Sequence, residues 1–362
     1  MEIYNILKLA IDQGATDIHL VEGLVPIFRI KKVLTRLDNM PICTNANIKL
    51  MIDTLFSGKE EEYGILKKDK KVDIGLKYNG YKFRINISKS KGSYTLAIRV
   101  ISNEPIDLDK YGMRNIVNRM REFKSGIILV TGKVNSGKTT TLNAYIQEVN
   151  KNVNCKIITL EDPIEYEHTS DKSIILQKEV GEYADVKNFY DGLINILRED
   201  SDIIVVGEIR DKKTMDVAIE LAESGQLVIG TLHTKSCAET IDRIIGMYAP
   251  EEQSSIKFVL STTLKMIASQ KLLPGLNEKV ALITELMIVD NVISALIRKD
   301  KFVISEIQDA IHTGESKGCI SLEKAFAEEY QKGNISLATI RESVDKDKFE
   351  KIKEIIVRNQ NN

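Results

Sequence analysis

The sequence has few cysteines, and their spacing excludes two kinds of stabilised architecture. The chain has 362 residues and four cysteines, Cys43, Cys155, Cys237 and Cys319. None of them forms a CxxC pair, which argues against a zinc ribbon and against a framework of disulfides. This usage is typical of a protein in a reducing compartment.

The chain also lacks an excess of charge of either sign and lacks a long apolar run. It has 51 Lys and Arg against 52 Asp and Glu, a formal net charge of -1, so no global basic field attracts nucleic acid or anionic lipid. No apolar run approaches the roughly 18 residues needed to cross a bilayer. Lys8 and Asp12 interrupt the first apolar stretch, which excludes a signal-peptide core. We therefore expect a cytosolic protein.

Glycine and proline are too scarce for a fibrous or low-complexity chain. There are 21 glycines and 6 prolines, with 43% hydrophobic and 28% charged residues, and this composition is typical of a globular protein. At about 150 residues per domain, the length predicts two or three domains.

The first hundred residues have the pattern of a small α+β domain. Apolar residues recur at helical spacing over residues 3–11, and Gly14 is a natural stop. Over residues 72–88 the sequence VDIGLKYNGYKFRINIS predicts two strands joined by a type I′ turn at Asn79-Gly80. A loop over 89–93 and a third strand over 94–101 complete the expected domain, 1–101.

A second domain is expected from residue 114, after a linker over 102–113. There, short apolar runs alternate with helical patterns, which predicts an α/β domain with a parallel sheet covered by helices on both faces. The four strands with this pattern are 127–130, 157–160, 203–206 and 227–229. From about residue 290 to the end of the domain at 362 the chain is expected to be helical.

The first of these strands runs directly into a phosphate-binding motif. The sequence GKVNSGKT satisfies G-x-x-x-x-G-K-[ST], between a strand and a helical pattern. Its glycines let backbone N–H groups face phosphates, its lysine reaches the β and γ phosphates, and its threonine can ligate magnesium. The residues predicted to bind ATP here are Gly132, Asn135, Ser136, Gly137, Lys138, Thr139 and Thr140.

Carboxylates follow two neighbouring strands. Glu208 ends the segment DIIVVGE, where a glutamate can activate a water for hydrolysis. Glu161 and Asp162 follow the strand over 157–160 in the segment EDPIE, where they are candidate Mg²⁺ ligands together with Thr139, and Glu161 is also a catalytic candidate. A surface carboxylate at 208 and a charged turn before Pro163 are the alternative interpretations.

A histidine follows the fourth strand, in the segment TLHT. A lone histidine is more often structural, but this one is expected at the edge where the other motifs converge. His233 is therefore the candidate sensor of the bound nucleotide.

Together these segments resemble the secretion ATPases of type II secretion and type IV pili. The resemblance rests on four motifs in order, GKVNSGKTT, ITLEDPIEYEH, LREDSDIIVVGEIRD and GQLVIGTLHTKSC. ATDIHL and LIRKDKFVISEIQDAI are similar to segments of the pilus retraction ATPases. The assembly ATPases usually have an extra N-terminal domain and a tetracysteine zinc insertion, and this chain has neither, so we expect retraction.

The resemblance implies a PAS-like N-terminal domain, a RecA-like ATPase domain and a homohexameric ring. It also implies that arginines of one N-terminal domain reach the neighbour's phosphates, and the matching residues are Arg84 and Arg99. The expected function is an ATP-hydrolysing motor that drives pilus retraction and twitching or gliding motility. The implied partners are an inner-membrane platform protein and, indirectly, pilin, which places the ring at the inner face of the cytoplasmic membrane.

One residue departs from the family, and several functions remain open. Gln226 stands where a histidine is common, and it cannot become cationic, so we assign that position no role. The alternatives are a pilus-assembly or type II secretion ATPase, a nucleic-acid translocase, and an ATP-binding regulator that does not hydrolyse. Balanced charge and the absence of a basic, aromatic-rich strand or groove signature argue against nucleic acid as a partner.

Overall fold

The structure, a computed structural model, describes residues 2–30, 33–101, 105–181, 184–276 and 280–360. The chain divides into two compact units, Met1–Glu104 and Pro105–Asn362. Of the linker expected over 102–113, residues 102–104 lie outside the described residues. From Pro105 the chain is part of the second unit, and Ile106 and Leu108 are buried in that unit's core.

The first unit is a six-stranded antiparallel sheet with three helices. The strand order is β3-β2-β1-β6-β5-β4, and the elements are α1 (Ile3–Asp12), β1 (Ala15–Leu20), β2 (Ile27–Ile30), β3 (Val33–Arg36), α2 (Asn45–Leu55), α3 (Glu60–Asp69), β4 (Lys71–Tyr78), β5 (Tyr81–Ser90) and β6 (Ser93–Ile101). Apolar residues of α1 and α2, such as Ile6 and Ile52, form one core with Phe28 and Phe83 of the sheet.

The predicted hairpin is confirmed, and a second tight turn follows it. Asn79 and Gly80 have φ of 52° and 80°, the left-handed values of both central residues of a type I′ turn. Lys91 and Gly92 have φ of 51° and 86°, and Ser90 pairs with Ser93 across them. The loop expected over 89–93 was wrong in length, because a two-residue turn lets both strands continue to its edges.

The second unit is built on a seven-stranded sheet of order β13-β12-β7-β11-β10-β8-β9. The neighbouring strands are parallel except for β12 and β13. Its elements up to residue 288 are α4 (Arg114–Met120), β7 (Gly126–Gly132), α5 (Lys138–Asn152), β8 (Lys156–Glu161), β9 (Ile174–Glu179), α6 (Phe189–Ile196), β10 (Ile203–Val206), α7 (Lys212–Glu223), β11 (Leu227–Leu232), α8 (Cys237–Ile245), α9 (Gln253–Thr263), β12 (Leu264–Pro274) and β13 (Val280–Ile288).

The four predicted strands are confirmed as β7, β8, β10 and β11, at the centre of this sheet. Both faces of each strand are covered, since Ile127 and Leu129 belong to one hydrophobic core while Ile128 and Val130 belong to the other. This alternation explains why apolar residues predominate on both faces of these strands. All four strands end at the same edge of the sheet, which is where the sequence motifs follow them.

The helical region expected from about residue 290 begins at α10. It consists of α10 (Asn291–Arg298), α11 (Ile304–Thr313), a short 3₁₀ helix (Glu315–Lys317), α12 (Leu322–Gln331), α13 (Leu337–Ser343) and α14 (Lys346–Gln360). Phe326 of α12 and Ile352 of α14 pack on Ile283 of β13 in a small separate core. Among the residues described, no helix has the length and apolarity to span a membrane.

Candidate active site

The loop between β7 and α5 has a backbone that other sequences would not adopt easily. Gly132, Asn135 and Gly137 have φ of 145°, 63° and 90°. A Cβ on Gly132 would lie 2.4 Å from the carbonyl oxygen of Gln270 and 2.4 Å from Ser136 Oγ. Asparagine tolerates the left-handed region better than most residues, so Asn135 can serve where a glycine is usual.

Replacing Gly132 by alanine is expected to disrupt this loop. The new methyl group would need a shift of the backbone of Gln270, so we expect a loss of unfolding free energy of about 3 kcal/mol, the upper end of the usual range, and weakened ADP binding. Gly225→Ala is the matched control, because Gly225 also has a positive φ, of 98°, but nothing lies within 4 Å of its Cβ position. The control should lose about 1 to 2 kcal/mol. Denaturant titration and ADP binding measure both, and equal losses would contradict the steric explanation.

The side chain of Lys138 lies inside the curl of this loop. Its Nζ donates to the carbonyl oxygens of Gly132 and Lys133 at 3.0 and 3.1 Å, and lies 3.5 Å from His233 Nδ1. Burial lowers the pKa of Lys138, while the charge of Glu208 opposes that shift. Ser136 Oγ is buried and hydrogen-bonds to no described residue. The loop therefore presents polar groups inward, as a phosphate requires.

Glu208 lies just beyond β10 and is held between two basic side chains. Its Oε1 is 3.2 Å from His233 Nε2, and its Oε2 is 2.6 Å from Arg210 Nη2 and accepts from Arg210 Nε at 2.7 Å. The carboxylate is only 18% exposed. The structure thus connects Lys138 to Glu208 through the two ring nitrogens of His233, at the edge of the sheet where the strands end.

Glu161 ends β8, the strand next to β10, at the same edge of the sheet. Its Oε1 accepts from Thr159 Oγ1 at 2.7 Å and from Gln177 Nε2 at 3.0 Å. The residue is 7% exposed, and burial raises the pKa of its carboxyl group. Asp162, the next residue, is exposed to solvent. The pair therefore offers one fixed, buried carboxyl group and one that solvent surrounds.

The segment after Glu161 returns to α5 through His168. His168 Nε2 is 2.7 Å from Asn143 Oδ1, and the backbone N–H of His168 donates to Gln177 Oε1 at 2.8 Å. Burial lowers the pKa of this histidine to about 4. Its ring is therefore neutral at neutral pH.

This pKa predicts how stability depends on pH. The unfolded chain, in which a histidine titrates near 6.5, binds the proton before the folded chain does, so protonation favours unfolding. His168 should lower the free energy of unfolding as the pH falls from about 6.5 towards 4, by up to about 1.4 kcal/mol per pH unit. Denaturant titrations of wild type and His168→Gln between pH 5 and 7 measure this component by difference. Parallel pH profiles of the two proteins would contradict the prediction.

The two arginine candidates lie in the first unit, opposite each other on neighbouring strands. Arg84 of β5 pairs in register with Arg99 of β6, which pairs in turn with Asp17 of β1. Arg99 Nε is 3.2 Å from Asp17 Oδ1, and Arg84 Nε is 3.7 Å from Asp73 Oδ1. The two side chains are 55% and 42% exposed. They form a cationic pair on one face of the sheet.

Several residues near the site have no place in the sequence prediction. Arg210 could have been found, since it lies two positions after Glu208 in a short extended segment. Gln270 of β12 lies beside Gly132 in the register of the sheet and donates to Thr141 Oγ1 at 2.8 Å. Gln177 carried no signal, because a glutamine in an edge strand is unremarkable in sequence.

Gln226 lies at the opposite edge of the sheet. Its carbonyl oxygen accepts from the N–H of Gly126, the first residue of β7. The six residues of β11 then separate it from His233, a span of about 20 Å at the rise of a strand. The distance, rather than the loss of a charge, excludes Gln226 from direct contact with a phosphate bound at the loop of its own chain.

Comparison with known proteins gives a consistent result along nearly the whole chain. The family model described as "Type II/IV secretion system protein" matches residues 2–347. The "Type IV pilus retractation ATPase PilT" of Pseudomonas aeruginosa is 34% identical over 94% of this chain and 98% of its own length. A "Twitching motility protein" of Neisseria gonorrhoeae is 31% identical over 92% of this chain and 88% of its own.

Solved structures agree in fold. A crystal structure of the pilus retraction motor PilT with bound ADP has a TM-score of 0.87 and 36% sequence identity, covering 97% of this chain and 99% of that one. The ATPase DotB of Legionella pneumophila has a TM-score of 0.78 and 25% identity, with 92% of both chains covered. The expected RecA-like ATPase fold is therefore confirmed. The chain belongs to the type II/IV secretion system protein family.

Proposed function

We propose that this chain is an ATP-hydrolysing motor subunit that drives the retraction of type IV pili. The observation that carries hydrolysis is the position of Glu208. His233 and Arg210 hold its carboxylate at the edge of the sheet where the parallel strands end, and Lys138 lies at the same edge. Retraction is supported by the similarity to a pilus retraction ATPase and to a twitching motility protein, which extends over most of this chain and most of each relative.

The loop from Gly132 to Thr140 binds the phosphates of ATP. Backbone N–H groups at the start of α5 and the partial positive charge of the helix end attract the phosphate oxygens. Lys138, now bound to two carbonyl oxygens of the loop, can turn its ammonium group to the β and γ phosphates. Ser136 Oγ supplies a further donor from inside the curl.

Three side chains fit a magnesium ion at this edge of the sheet. Thr139, Glu161 and Asp162 carry oxygen donors, which Mg²⁺ prefers, and the ion keeps several water and phosphate ligands of its own. No cluster of three or more His, Cys, Asp and Glu side chains capable of holding a metal exists in the part of the chain described. When bound with ATP, Mg²⁺ neutralises negative charge on the β and γ phosphate oxygens.

Glu208 acts as the base that accepts a proton from the attacking water. Arg210 holds the carboxylate from one side and His233 orients it from the other. His233 also lies next to Lys138. It is therefore placed to respond to the phosphates that Lys138 binds, as a sensor does.

The active site is completed by a second subunit. Arg84 and Arg99 of one chain reach the phosphates of the next, where their fixed positive charges stabilise the charge that develops during hydrolysis. Repetition of this contact closes a homohexameric ring. The ring works at the inner face of the cytoplasmic membrane, on a platform protein, and thereby removes pilin from the pilus base without contacting nucleic acid.

A deletion strain of the source organism tests this function. Loss of the gene should leave excess pili that no longer retract, and wild-type protein should restore retraction while Glu208→Gln should not. A strain without pili would instead identify an assembly ATPase. Microscopy of labelled pili distinguishes the two outcomes.

A further inference from the structure

His168 and Asn143 connect the acidic segment to the helix that begins the phosphate-binding site. His168 is half-buried at the end of the segment that follows β8, and Asn143 is buried on α5, one turn after Thr139. His168 Nε2 lies 2.7 Å from Asn143 Oδ1, within hydrogen-bonding distance. Neither residue has a role in the hydrolysis described above.

The direction of this hydrogen bond follows from the second bond of Asn143. The Nδ2 of Asn143 donates to the carbonyl oxygen of Thr139 at 2.9 Å, so its Oδ1 faces His168. A carbonyl oxygen only accepts, and His168 Nε2 must therefore carry the proton. The neutral ring is thus a donor in one defined tautomer, with its proton on Nε2.

The same segment is fixed at its other end through Gln177 of β9. Gln177 Nε2 donates to Glu161 Oε1 at 3.0 Å and to the carbonyl oxygen of Tyr166 at 2.7 Å, while its Oε1 accepts from the N–H of His168. A continuous series of hydrogen bonds therefore links Glu161 to Thr139 through Gln177, His168 and Asn143.

We infer that His168 is a positioning residue that sets the position of Glu161 and Asp162 relative to Thr139 by donating a hydrogen bond to Asn143. The inference rests on the proposed magnesium-binding role of these three residues. The segment over 161–168 has no helix or strand of its own beyond Glu161, so side-chain bonds hold its geometry. Carboxylate and hydroxyl ligands that belong to different elements need such a connection to hold a small ion well.

Two substitutions separate hydrogen bonding from packing. His168→Phe keeps a planar ring and loses the donor, whereas His168→Gln keeps a nitrogen donor at similar reach. ADP affinity is measured by calorimetry in EDTA and across a Mg²⁺ series. We expect His168→Phe to bind ADP normally in EDTA. It should need about tenfold more Mg²⁺ than wild type to reach half of the increase in ADP affinity that Mg²⁺ produces. His168→Gln should need no more than about threefold more.

A double-mutant cycle with Asn143→Ala tests the connection itself. If the two residues act through one bond, the double variant should shift the Mg²⁺ requirement no further than the larger single shift. The inference would be overturned if the two single-variant shifts in the Mg²⁺ requirement multiplied in the double variant. It would also be overturned if His168→Phe kept the wild-type requirement, or if His168→Phe and His168→Gln shifted the requirement equally. If wild-type ADP binding does not respond to Mg²⁺, the proposed magnesium site itself fails.

Nitrogen-15 NMR of histidine-labelled wild-type protein provides a test that does not depend on any variant. At pH 7 the ring of His168 should be neutral with its proton on Nε2. A proton on Nδ1 alone would overturn the inference even if every substitution impaired folding.

Discussion

Glu208→Gln is expected to bind ATP and to hydrolyse it at least about a hundredfold more slowly than wild type. Glutamine has the same shape, but its amide does not accept a proton from water near neutral pH. Its carbonyl oxygen can still accept a hydrogen bond from Arg210, so the loop after β10 should keep its position. Steady-state phosphate release measures turnover, and ATP binding at equilibrium measures the site.

A surface glutamate provides the matched control. Glu252 forms an ion pair with Lys212 at 2.6 Å on the surface of the same unit, so Glu252→Gln also removes one paired negative charge. It should hydrolyse ATP at the wild-type rate. Wild-type turnover in Glu208→Gln would assign the base to Glu161 or to Glu165, the last residue of the segment EDPIE. Loss of ATP binding would show that the substitution disturbs the site as a whole.

The central strands could be predicted because they obey local rules. β7, β8, β10 and β11 are buried on both faces, so burial makes them predominantly apolar. The hairpin at Asn79-Gly80 likewise depends on two adjacent residues that adopt positive φ. In each case a short stretch of sequence contains the whole physical cause.

β12 was not predicted, because polar residues that lie beside the candidate site interrupt its apolar pattern. Ser269 and Gln270 interrupt an apolar run, yet both are buried where β12 pairs with the end of β7. β9 escaped for a different reason. It is an edge strand whose Ile174 and Leu176 are exposed, so its pattern resembles that of a loop.

The contacts of the candidate site show the same distinction between local and distant causes. The motif around Lys138 and the strand-end position of Glu208 are local, and the sequence predicts both. The bonds from Gln177 to Glu161 and from His168 to Asn143 join residues 16 and 25 positions apart. Such pairs depend on how the strands are ordered in the sheet, which no local pattern specifies.

Mixed rings of Arg84→Ala and Glu208→Gln subunits are expected to recover activity that neither variant has alone. Arg84→Ala should bind ATP normally and hydrolyse it about a hundredfold to a thousandfold more slowly, because an arginine supplied by a neighbour typically contributes at least that much. In a mixed ring, an Arg84→Ala subunit keeps its Glu208 and can receive the intact Arg84 of a Glu208→Gln neighbour. Phosphate release at several mixing ratios measures the recovery.

The control is Arg36→Ala, in which an exposed arginine of the same unit loses its ion pair with Asp38. This variant should be fully active alone. When equal amounts mix at random, about a quarter of the subunit contacts join an Arg84→Ala subunit to a Glu208→Gln neighbour in the orientation that supplies the missing arginine. Turnover should therefore peak near equal amounts, and it should require assembled protein. Because each parent variant lacks one half of the site, recovery means that the halves come from different subunits. Activity that stays at the sum of the two parents at every ratio would instead place Arg84 and Glu208 in the same subunit's site, and the ring mechanism would lose its chemical basis.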